Sequence, residues 1–150
     1  MSALSFQHAL IDSFHNHSVA LAYLFGSQAT GQTWAKSDVD LAVLLAETVP
    51  TDQFAQLRLA LTTEAIGILG RNNIDVVILN QATPLLAQQV VQFGEPIFST
   101  DEAIRVEFEV TTLRRYVDTA ILRRLQQAYL ENRIREREGK PLKPLPVGLK

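Results

Sequence analysis

Leu24 to Leu45 reads LFGSQATGQTWAKSDVDLAVLL. An apolar run ends at Gly26-Ser27, a polar loop with a turn at Gly31 follows, and Asp38-Val39-Asp40 opens a second apolar run. Strand residues two apart point to the same face, so Asp38 and Asp40 share one. Gly26-Ser27 can offer backbone N–H groups to an anion and lets a ligand approach the main chain. Ten residues separate Ser27 from Asp38. The combination suggests a site for a metal ion and a polyphosphate.

Outward from this stretch, Val19–Phe25 is a continuous apolar run, as expected of a strand covered on both faces. Val39 to Ala46 is the second strand, with Val39, Leu41, Val43 and Leu45 on the buried parity. The loop between them is too long for a two-residue hairpin, so the strands are expected as neighbours with an excursion between them. Ile74–Leu79 is a third strand with Asp75 near its start, and Pro96-Ile97-Phe98 is a short fourth. Helical periodicity covers Ala3–His17 and Gln53–Leu69, the latter capped by Gly70. Thr83-Pro84 opens a short helix through Phe93, stopped by Gly94. Ser99-Thr100-Asp101-Glu102 signals a helix start, and no Pro or Gly interrupts before Gly139. Val106, Val110, Leu113, Val117, Ile121, Leu125 and Ala128 form its stripe. Lys140–Lys150, with Pro141, Pro144 and Pro146, reads as a disordered tail. The expected fold is α/β (α+β): a small mixed sheet of about four strands flanked by helices, with a long C-terminal helix. The expected division is 1–100 for the core, 101–139 for the long helix and 140–150 for the tail.

The 150 residues suffice for one domain with a normal core. There is no cysteine, which excludes disulfides and thiolate metal sites. His8, His15 and His17 are not spaced as a metal pair on one helix face, and are expected as exposed helix residues. No apolar run is long enough for a membrane span and the N-terminus is not a signal peptide, so a cytoplasmic location is expected. Charge is unevenly spread. Residues 1–100 hold three bases, Lys36, Arg58 and Arg71, against eight acids; residues 101–150 hold eleven bases against eight acids. The first part cannot hold a polyanion by side-chain charge alone, so divalent metal must carry much of the positive charge. The arginines of the last helix are balanced by acids and few aromatics interleave them, which ranks DNA or RNA binding last.

Charged residues at the mouth of an apolar strand are costly unless paired or metal-bound. Asp38 and Asp40 therefore suit Mg²⁺, which favours a few carboxylates plus phosphate oxygens. With Asp75 beside them, three carboxylates could hold two ions. A bare DxD is a weak signal. Asp38 could be a turn residue after Ser37, Asp40 a solvent-facing strand residue, and Asp75 a cap after Asn72-Asn73. The Gly-Ser turn, the gap, the DxD and the later strand-borne Asp together are far more specific.

Gly26-Ser27, ten residues, then Asp38-Val39-Asp40 resembles the GSx10DxD signature of the minimal nucleotidyltransferases, in the polymerase-beta-like superfamily. The short length and the long helix after the core look like the MNT antitoxins of HEPN/MNT toxin–antitoxin pairs. The resemblance implies that Gly26 and Ser27 bind nucleotide phosphates, that Asp38 and Asp40 coordinate Mg²⁺, and that Asp75 is a third carboxylate. It implies ATP as substrate, two Mg²⁺ ions, and AMP transfer to a tyrosine hydroxyl of a HEPN ribonuclease toxin bound in a hetero-oligomer. Many members carry arginines where this chain has Gln28 and Thr30. Either Lys36 or an arginine from elsewhere then neutralises the phosphates, or nucleotide affinity is low. Two other functions are open from the sequence: a non-catalytic antitoxin that occludes its partner through the basic helix, and an aminoglycoside-like nucleotidyltransferase acting on a small molecule.

Overall fold

The computed structural model describes residues 3–25 and 38–146, with the backbone alone for 3–5. Gly26, Ser27, Gln28, Thr30, Gly31 and Lys36 therefore lie outside the described residues. The elements run α1 (Ala3–Asn16), β1 (Val19–Phe25), β2 (Val39–Leu45), α2 (Phe54–Leu69), β3 (Ile74–Ile78), α3 (Pro84–Phe93), β4 (Glu95–Ser99), α4 (Glu102–Asp118) and α5 (Ala120–Arg137). They form two compact units, Met1–Thr112 and Leu113–Lys150. The unit boundary falls inside α4 and not at its start.

In the first unit the strands form one mixed sheet in the order β3-β2-β1-β4. β1 pairs antiparallel with β2 and β4, while β2 and β3 run parallel. The period-two pattern of β2 divides the core. Val39, Leu41, Val43 and Leu45 join Phe14, Phe54, Leu61, Ala65, Ile74, Val76 and Ile78 on one face, under α1 and α2. Ala42 joins Leu21, Tyr23, Leu79 and Val90 on the other, with Phe108 of α4 packed against them. Full burial of such side chains contributes about 1.5–3 kcal/mol each, which is why β1 reads as an unbroken apolar run.

Local signals place the element ends. Gly70 takes a left-handed conformation at φ 64° and its N–H donates to Ile66 O at 2.9 Å. Thr83 Oγ1 accepts from Leu86 N at 3.2 Å and caps α3, with Pro84 in the first turn. Asp101 Oδ1 accepts from Ala103 N at 3.0 Å at the start of α4. Asn80 closes the far end of β2: its side-chain amide accepts from Leu45 N at 2.8 Å and donates to Leu45 O at 3.1 Å. The expected exposure of all three histidines needs correction at His17. It lies past the end of α1, half-buried, with Nε2 3.0 Å from Glu64 Oε1, and Ser13 Oγ donates to Glu64 Oε2.

The long C-terminal helical stretch is present as two consecutive helices that meet at Thr119. In the second unit Arg123 lies over the Tyr116 ring, 4.0 Å from its centroid, and donates to Tyr116 O at 2.7 Å. The described part of the tail has no helix or strand, yet it is tied to α5. Asn132 exchanges two 2.9 Å hydrogen bonds with the Lys143 backbone, and Arg135 Nε donates to Pro141 O at 2.7 Å. No helix among the described residues is long and apolar enough to cross a membrane.

Candidate active site

The parallel pairing of β2 and β3 sets the position of the carboxylates. Asp40 is in register with Asp75, and Val39 with Ile74. Val39 N donates to Asn73 O at 2.8 Å and ties the two strand starts together. Neighbours in register on adjacent strands present their side chains to the same face. Asp40 and Asp75 therefore stand side by side on the face opposite Val39 and Leu41. Asp38 precedes β2 and is exposed. On the other side of Asp40, its partner in register is Phe25, the last residue of β1. Gly26 and Ser27 follow Phe25 in the chain, outside the described residues.

Asp40 is half-buried. Burial pushes its carboxyl above the usual carboxylate range, and the charges of Asp75 and then Asp38 push in the same direction. The three expected carboxylates are thus one electrostatic group. A divalent cation would relieve the strain at Asp40, and the all-oxygen donor set suits Mg²⁺. Among the described residues, no three or more His, Asp or Glu side chains are gathered closely enough to hold a metal ion.

Sequence reasoning passed over Arg58. From α2 it reaches the β3 strand: Nε donates to Val76 O at 2.8 Å, and Nη2 donates to Asp75 Oδ1 at 3.3 Å. A signal existed in the base-poor first part of the chain, where Arg58 is one of three bases. It also follows Leu57 of the apolar stripe directly, which sets it beside the sheet-facing side of α2. The opposite face carries a second missed group. Buried Tyr23 donates to Glu109 Oε1 at 2.8 Å, and Arg105 Nη1 donates to both Glu109 oxygens at 3.0 Å. Arg105 also pairs with Glu102, so its charge is committed within α4.

Comparison with known proteins agrees with this fold. The family model described as polymerase beta, nucleotidyltransferase matches residues 8–103. Protein adenylyltransferase MntA of Shewanella oneidensis (strain MR-1) is 35% identical over 96 residues, which is 64% of this chain and 65% of that protein. The match therefore spans just under two thirds of that relative's length. A solved toxin–antitoxin structure with AMP-PNP superposes with a TM-score of 0.67 at 28% identity, over 85% of this chain and 98% of that one. The complex of a tri-AMPylated Shewanella oneidensis HEPN toxin with its MNT antitoxin gives 0.63 at 27% identity, over 86% and 96%. The matched residues include the whole sheet and all three carboxylates, and the chain belongs to the polymerase beta nucleotidyltransferase family.

Proposed function

We propose that this chain is an antitoxin that transfers AMP from ATP to a tyrosine hydroxyl of a cognate HEPN ribonuclease toxin. The observation that carries this reading is the register of Asp40 between Asp75 on one side and the end of β1 on the other. That arrangement sets Asp40 beside Phe25, the residue that precedes Gly26 and Ser27 in the chain, with Asp75 on its other side. The similarity to a protein adenylyltransferase and to toxin–antitoxin complexes supports this choice of nucleotide and partner.

In this assignment Asp38 and Asp40 hold Mg²⁺, with Asp75 as the third carboxylate, and Gly26, Ser27 and Lys36 bind the phosphates. A pair of Mg²⁺ ions held there would supply the positive charge that the base-poor first part of the chain lacks. The tyrosine oxygen attacks the α-phosphorus, the bond to the β-phosphate bridging oxygen breaks, and pyrophosphate leaves. Asp75 helps to take the hydroxyl proton. The AMP groups bring negative charge to the ribonuclease and block it electrostatically.

The toxin is assigned to the second unit. Leu113, Val117, Leu122, Leu130 and Ile134 are each more than half exposed there. An apolar row of this kind is the pattern of a helix that lies against a partner.

The test is transfer of label from ATP marked on the α-phosphate to the purified toxin. Wild type should label it and protect cells from it. Asp38→Asn/Asp40→Asn should do neither. Protection by the folded double variant, with no label transferred by wild type, would leave occlusion as the mechanism.

A further inference from the structure

Among the described residues the sheet ends at β3. The side of β3 toward β2 is filled. Val39 is in register with Ile74, and Val39 N donates to Asn73 O. In a parallel ladder this turns the main-chain groups of Asn73, Asp75 and Val77 toward β2. Those of Ile74, Val76 and Ile78 then point outward along the open edge. The carbonyl of Val76, the middle residue of β3, accepts from Arg58 Nε at 2.8 Å. Arg58 reaches it from α2, and its Nη2 donates to Asp75 Oδ1 at 3.3 Å.

An open strand edge is a template for another strand. Ile74–Leu79 reads IDVVIL, with one charge and neither Pro nor Gly, and such a segment pairs readily. The edge is also self-complementary. A second copy laid antiparallel about Val76 would set Ile74 opposite Ile78 of that copy, so outward groups meet outward groups. Asp75 would face Val77 and not another carboxylate, so no like charges stand directly opposite.

We propose that the outer edge of β3 is a pairing surface for a second copy of this chain, and that Arg58 keeps it closed. Two effects act together. Nε occupies Val76 O, the acceptor at the centre of the pairing. Pairing would also bring the guanidiniums of both copies to one point, and a guanidinium does not shed its charge. The Arg58 side chain is 56% exposed, so this cation stands in solvent at the edge, as charged side chains that blunt sheet edges do. The closure does not depend on the chemistry assigned to Asp75.

The experiment is sedimentation velocity of the full-length protein over a concentration series, with amide exchange at Ile74 and Val76 read by NMR. Arg58→Met removes the donors and the charge but keeps the aliphatic stem. It should self-associate about tenfold more tightly than wild type. Its Ile74 and Val76 amides should exchange more slowly as concentration rises, while those of wild type keep one rate throughout. Arg58→Gln, which loses the charge but keeps a donor, should shift in the same direction by less. Melting curves establish that the variants are folded. Sedimentation of the folded variants identical to wild type would overturn the proposal. So would self-association that leaves both amides unprotected, because the copies would then meet through another surface.

Discussion

Asp40 and Asp75 are partners in register across the parallel pair β2–β3, and both carboxylates leave the same face of the sheet. Like charges set side by side on a sheet are destabilising. Here burial adds to the repulsion at Asp40. Nothing in the packing of the core requires this arrangement, since Ala42 and Val77 occupy the next register position on the same face without charge. The cost is borne where the proposed chemistry needs oxygen ligands.

Asp40→Asn should therefore leave the fold intact and remove activity. The amide keeps the shape but not the charge. AMP transfer is expected to fall by about a hundredfold or more, which corresponds to about 2.7 kcal/mol or more on the barrier. Asp75→Asn should fall less, by about tenfold, because the carboxylate is exposed and partly engaged by Arg58. Initial rates of label transfer to saturating toxin measure both. A loss below about threefold for Asp40→Asn would take this residue out of the reacting site.

The same residue gives a pH prediction with a definite sign. The Asp40 carboxyl is raised in the fold by burial, then by Asp75 and Asp38. At pH between the ordinary and the raised value, the folded state binds more protons than the unfolded one, so stability falls as pH rises through that window. Metal-free Asp40→Asn escapes this loss. Its melting temperature should exceed that of wild type at neutral pH, and the advantage should vanish in acid below the ordinary carboxylate range. Glu64 runs the other way. Hydrogen bonds from Ser13 and then His17 lower its carboxyl, so its contribution is present above the ordinary value and is lost as pH falls through the folded one. Glu64→Gln should cost about 0.5–1 kcal/mol at neutral pH after allowance for solvent screening, and nothing in acid. Thermal melts of the three proteins across pH, without metal, test both signs.

The sheet was legible because its strands carry unmixed signals. β1 is apolar throughout, β2 alternates, and Asp75 marks the start of β3. Gly70, Thr83 and Asp101 mark helix ends through local backbone chemistry that needs no tertiary context. The register was not legible. Pairing Asp40 with Asp75 depends on how the β2–α2–β3 connection packs, and spacing along the chain does not encode that. Arg58 and Asn80 were missed for the same reason. Each side chain bonds to the backbone of a strand distant in sequence, Val76 O for one and Leu45 for the other. His17 looked like a surface helix residue because its partner, Glu64, lies on α2.

Tyr23 and Glu109 should be strongly coupled. Tyr23 is fully buried on the central strand, and its hydroxyl donates to Glu109 Oε1 at 2.8 Å. Tyr23→Phe removes one hydrogen bond but leaves Glu109 satisfied by Arg105, so the cost should be about 1 kcal/mol. Glu109→Ala leaves a buried hydroxyl without its acceptor, and the cost should be about 1–3 kcal/mol. The double variant should be less destabilised than the sum of the two, because the stranded hydroxyl is gone. Urea unfolding of the four proteins measures the coupling. Additive losses would show that the hydroxyl does not depend on Glu109.

Gly94 is a packing requirement as well as a helix stop. A Cβ built there would lie 2.4 Å from Val90 O and 3.4 Å from Leu24 O. Both are backbone atoms, and neither can swing aside as a side chain would. Gly94 N also donates to Val90 O at 2.7 Å, so the clash falls on the bond that ends α3. The backbone at Gly94, φ −80°, is open to any residue, which isolates the steric effect from conformational strain. Gly94→Ala should destabilise the protein by about 1–3 kcal/mol, with a fall in melting temperature of about 2–4 °C for each kcal/mol. Gly67 provides the opposite case. It lies within α2, is exposed, and a Cβ there meets nothing within 4 Å. Gly67→Ala should stabilise by about 0.5–1 kcal/mol, since glycine in a helix interior loses more backbone freedom on folding. Thermal and urea melts of the two variants should move in opposite directions from wild type. Equal stability for Gly94→Ala and wild type would mean that α3 and β4 shift to admit the methyl group.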